Sequence, residues 1–115
     1  MTDSPTPFRL VLTTASSPGA ASRLARTLVE ERLAACATLL PGATSIYRWK
    51  GQIKTADEVM LLLKTTEEQV GALEKRLKEL HSYETPEFLV LKVDGGSAEY
   101  LAWLQSSVGS SPEVS

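Results

Sequence analysis

Residues 36–50 read Cys36-Ala37-Thr38-Leu39-Leu40-Pro41-Gly42-Ala43-Thr44-Ser45-Ile46-Tyr47-Arg48-Trp49-Lys50, followed by Gly51-Gln52 and a second stretch from Ile53 to Thr65. Both stretches are rich in strand formers: Thr38, Leu40, Thr44, Ile46, Tyr47 and Trp49 in the first, and the run Val59-Met60-Leu61-Leu62-Leu63 in the second. Lys50-Gly51-Gln52 reads as the hairpin turn between them, and Pro41-Gly42 as a bulge or kink within the first arm. At roughly 3.3 Å per residue that first arm spans about 50 Å, against about 20 Å for an ordinary strand. The hairpin must therefore project beyond the body. A projecting ribbon carrying Ile46, Tyr47, Trp49 and Ile53 leaves apolar side chains and backbone uncovered, which predicts a homo-oligomer sealed by strand pairing between subunits.

Working outward, Phe8 to Thr14 is a first strand that stops at the breakers Ser16-Ser17-Pro18-Gly19. Ser17 as N-cap, Pro18 at the first helical position and the spacing of Ala21, Leu24, Ala25, Leu28, Val29 and Leu33 predict a helix over 18–33. Thr66 and Gln69 form a T-x-x-Q capping pattern, and Val70, Leu73, Leu77 and Leu80 place a second helix over 67–81. Phe88 to Val93 is a fourth strand, Gly95-Gly96 breaks it, and 98–106 is a short terminal helix. Residues 1–7 and 109–115 read as tails around one domain at 8–108. Strand-helix-strand, twice, joined by a hairpin, specifies an α+β ferredoxin-like sandwich: one sheet under two helices, with a short C-terminal helix.

Composition narrows the function classes. The chain has 115 residues with 12 Lys+Arg against 14 Asp+Glu, so no basic surface for nucleic acid is expected. A single cysteine, Cys36, excludes an internal disulfide and multi-cysteine zinc sites, and fits a reducing compartment. Met1 to Pro7 has neither a positive nor an apolar signal region, and Val59 to Leu63 is far short of a membrane span, so the expected location is the cytoplasm, away from membranes. G-x-x-x-x-G-K, G-x-S-x-G and H-E-x-x-H are all missing, which argues against an enzyme.

Six blocks in fixed order, Arg32-Leu33-Ala34-Ala35-Cys36, Pro41-Gly42-Ala43-Thr44-Ser45, Tyr47-Arg48-Trp49-Lys50-Gly51, Leu63-Lys64-Thr65-Thr66, Tyr83-Glu84-Thr85-Pro86-Glu87 and Tyr100-Leu101-Ala102-Trp103-Leu104, resemble the CutA divalent-cation tolerance family over residues 9–106. The resemblance implies a homotrimer of ferredoxin-like subunits with long hairpins paired across subunit boundaries, a role in divalent-cation tolerance, and copper as the metal. It also implies a likeness in architecture to the PII signalling proteins, which bind small effectors in clefts between subunits.

Two sets of candidate residues follow. Copper-binding relatives that this chain resembles carry a Cys at the end of the first strand and two consecutive His before a Pro-Tyr pair. This chain has Thr13 and Leu80-His81-Ser82 there, so His81 alone remains as a Cu(II) ligand. His81 otherwise reads as a cap at the end of the second helix. Glu58, Glu84, Glu87 and Tyr83 could supply oxygen ligands to a hard cation, or could be surface groups in a turn. The alternative is an effector cleft lined by Tyr47, Trp49, Lys64, Tyr83 and Glu87. In it Lys64 would meet an anionic ligand or, in the blander case, pair with Glu87. Tyr47 and Trp49 share one face of the hairpin, Arg48 and Lys50 the other, and packing of the aromatic face on a neighbouring subunit is the simpler reading. Cys36 reads as a small buried hydrophobe, because nothing near it in sequence would activate a thiol.

Overall fold

The computed structural model describes residues 6–110. Its elements are β1 (Phe8–Ala15), α1 (Pro18–Glu30), β2 (Cys36–Trp49), β3 (Gln52–Thr66), α2 (Glu67–Leu80), β4 (Leu89–Lys92) and α3 (Ala98–Ser106). The sheet is antiparallel in the order β2-β3-β1-β4, so each helix-containing connection steps over a neighbouring strand. This is the expected α+β ferredoxin-like βαββαβ arrangement with an added C-terminal helix.

One face of the sheet is covered by helices. Val11, Ala15, Val59, Leu61 and Leu63 pack there against Ala21, Leu24 and Leu28 of α1 and Leu73 and Leu77 of α2. The other face is covered only at one end, where Leu104 of α3 and Val108 pack with Phe8 and Ala35; among the described residues no helix lies over the rest of it. Register places Leu10 opposite Lys64 and Leu91, and Leu12 opposite Leu62 and Leu89, so Leu10, Leu12, Leu62, Leu89 and Leu91 line that open face together. Leu40, Leu89 and Leu91 remain 43–54% exposed in the single chain.

The hairpin turns at Lys50-Gly51, both at positive φ (50° and 79°), the geometry that matches the twist of a two-residue hairpin. It extends the molecule: the radius of gyration is 15.3 Å, against about 13 Å for a compact chain of this length. Within β2, Leu40 pairs with Met60 but Ala43 with Glu58, so Pro41 and Gly42 together oppose Val59. Gly42, at φ 82°, supplies the left-handed residue that this bulge requires.

Several boundaries differ from the sequence reading. α1 ends at Glu30 rather than at residue 33, because Arg32 turns left-handed (φ 62°). The Arg32 and Leu33 amides then bond back to Val29 and Leu28 carbonyls at 3.0 Å each, a Schellman ending built without glycine. The Arg32 guanidinium is held by the carbonyls of Gly109 and Ser106, each at 2.7 Å, which ties α1 to the end of α3. The T-x-x-Q capping pair does not form. Thr66 is still a buried strand residue, and the first amide of α2, Glu67, donates to the Pro7 carbonyl at 2.6 Å instead. α2 stops at Leu80, and β4 is shorter than 88–93 by one residue at each end. The expected tails fall mostly outside the described residues, but Thr6, Pro7 and Gly109 are hydrogen-bonded into the fold.

Candidate functional site

The bulge at Pro41-Gly42 decides which side chains meet. Before it, Ala37 and Leu39 point to the helices and Cys36, Thr38 and Leu40 to the open face. After it the parity is reversed, and Ala43, Ser45, Tyr47 and Trp49 join Glu58 on the open face. There they border a cleft of about 540 Å³. Its floor is Thr14, Ser45, Ala56 and Glu58; its walls are Tyr47 and Trp49 on one side and Tyr83, Glu84, Thr85 and Glu87, from the loop after α2, on the other.

That loop is fixed by His81, the C-cap residue of α2. Its Nδ1 accepts the Tyr83 amide at 3.0 Å, which leaves Nε2 as the protonated nitrogen donating to the Thr14 carbonyl at 2.6 Å. The imidazole also lies 4.6 Å from the Tyr83 ring, centroid to centroid. So oriented, the Tyr83 hydroxyl donates to Glu58 Oε2 at 2.7 Å.

Glu58 is the chemical centre of the cleft. It is 9% exposed, and burial alone would raise its carboxyl, yet hydrogen bonds from Ser45, Tyr83 and Thr14, with His81 nearby, hold it below the usual carboxylate range. The reciprocal effect is on Tyr83, whose phenol is pushed up to about 12 by burial and by the anion it serves. Glu58 is thus an ionised acid stabilised by hydroxyls. Among the described residues no lysine or arginine forms an ion pair with Glu58, Glu84 or Glu87.

Of the five residues expected to share an effector cleft, Tyr47, Trp49, Tyr83 and Glu87 come together and Lys64 does not. Lys64 lies six residues along β3 from Glu58, about 20 Å away at strand rise. Its ammonium donates to Thr38 Oγ1 and lies 3.8 Å from Cys36 Sγ. Among the described residues it forms no ion pair, with Glu87 or any other acid. Cys36 is half-buried rather than fully buried, and it has a cation beside it that its local sequence did not reveal. The cationic face expected of Arg48 and Lys50 is also incomplete: Lys50 sits in the turn with Nζ 5.9 Å from the Trp49 ring centroid.

A metal at His81 meets two obstacles. Both ring nitrogens are already engaged, and among the described residues no three His, Cys, Asp or Glu side chains stand close enough to hold one ion. The acids border the cleft but do not converge. Thr13, at the position where the family resemblance implies a Cys ligand, points into the helix-covered core with its Oγ1 unpartnered, on the opposite face of the sheet from the cleft. The residues present do not fit a closed metal centre.

Sequence reasoning missed Ser45 and Thr14 as floor hydroxyls and the His81–Tyr83–Glu58 connection. Ser45 shares parity with Tyr47 and Trp49, a signal that was legible; the reach of Tyr83 to Glu58 across 25 residues was not. A second hollow, about 380 Å³, lies between the start of α1 and the end of α2 and is bordered by Arg23, Leu24, Leu80 and His81.

The family profile described as "CutA1 divalent ion tolerance protein" matches residues 9–107. The chain is similar to the divalent-cation tolerance protein CutA of Pectobacterium atrosepticum, 48% identical over 86% of this chain and 90% of that protein. It is similarly close to that of Thermus thermophilus, 46% identical over 87% and 97%. Among solved structures, CutA from Xylella fastidiosa superposes with a TM-score of 0.88 at 42% identity, covering 90% of this chain and all of that one. CutA1 from Oryza sativa gives 0.88 at 37% identity over 93% and 98%. With a shared sheet, a shared hairpin and near-complete coverage in both directions, the chain belongs to the CutA1 divalent ion tolerance family.

Proposed function

We propose that the chain serves divalent-cation tolerance in the cytoplasm as a homotrimer, and that it works as a small-ligand binding module of the PII-like kind rather than as an enzyme or a metal chelator. One observation carries this reading: four residues expected of an effector cleft, Tyr47, Trp49, Tyr83 and Glu87, border a single cleft of about 540 Å³, a volume typical of small-molecule sites. The open apolar sheet face and the exposed Ile46 (71%) and Ile53 (61%) support assembly, since a single chain would leave them in water.

Weak binding of a divalent metal such as Cu(II) at His81 and the nearby acids is the second reading, favoured by the acidity of the cleft and by the name its relatives carry. It requires His81 to give up a hydrogen bond to Thr14 or to Tyr83. Calorimetric titration of Cu(II), Zn(II) and Ni(II) into the wild type and His81→Ala, with light scattering alongside, separates the two. The expected result is a mass three times that of the chain and no metal affinity tighter than about 10 μM. Micromolar or tighter binding abolished by His81→Ala would make metal handling the activity, and a stable monomer would remove the trimer.

A further inference from the structure

We draw no further inference here: the strongest candidate, the hollow of about 380 Å³ between the start of α1 and the end of α2, rests on the exposed Arg23 beside a helix N-terminus, and nothing in the structure shows what occupies it.

Discussion

Glu58 owes its ionisation to hydroxyl groups from three separate places, β1, β2 and the loop after α2. Its folded carboxyl titrates below the unfolded value of 4.5, so its contribution to stability is present above that value and is lost as pH falls through the lower, folded one. The stability difference between the wild type and Glu58→Gln should accordingly shrink as pH falls below 4.5 in thermal melts at fixed protein concentration. Glu31, lowered chiefly by its hydrogen bond from Arg76, titrates in the same direction, but it is common to both proteins and cancels in the difference. Thr13 makes a contrasting case. Its hydroxyl is fully buried among apolar neighbours without a protein partner, and Thr13→Val should therefore stabilise by about 1 kcal/mol, seen as a higher melting temperature. A Thr13→Val protein less stable than the wild type would mean that the hydroxyl has a partner.

At the scale of elements, the bulge in β2 and the cap of α1 show how a short irregularity sets long-range geometry. Gly42 has open space where a Cβ would stand but a φ of 82°, so Gly42→Ala should cost about 1–2 kcal/mol of backbone strain without any clash. Deleting Gly42 should do more: the two-against-one pairing with Val59 is lost and Ser45, Tyr47 and Trp49 turn to the other face, which a shift in Trp49 fluorescence in a Trp103→Phe background would report. At the end of α1, Arg32→Ala keeps the left-handed backbone and removes both guanidinium bonds to α3. It should destabilise the chain by about 2 kcal/mol, with the loss of protection in hydrogen exchange concentrated in α3.

For the whole molecule, the two faces of the sheet have opposite fates. The helix-covered face is a closed core, whereas the open face and the β4 edge, with Leu89 at 54% and Val90 at 44% exposure, are unfinished in one chain. If the trimer closes that face, Leu89→Asp should dissociate it, lowering the mass measured by light scattering and making the melting temperature of the variant insensitive to dilution. An unchanged mass would place the subunit contacts elsewhere.

The sequence alone determined the element order, the projecting hairpin, the family and the aromatic pair Tyr47 and Trp49, because strand alternation, helical spacing and turn residues are local signals. Local spacing also suggested an N-terminal cap at Thr66 and an α1 running to residue 33, and both were overridden by partners far along the chain: Pro7 at α2, and Ser106 and Gly109 around Arg32. The membership of the cleft belongs wholly to the tertiary structure. Lys64 and Glu58 lie on the same strand and the same face, and in sequence either could have served the site; six residues of extended chain put Glu58 in the cleft at mid-strand and Lys64 near the C-terminal end of β3. Which charged side chains border the cleft follows from that separation, because a charge acts over distances that strand rise and pairing set and sequence spacing alone does not.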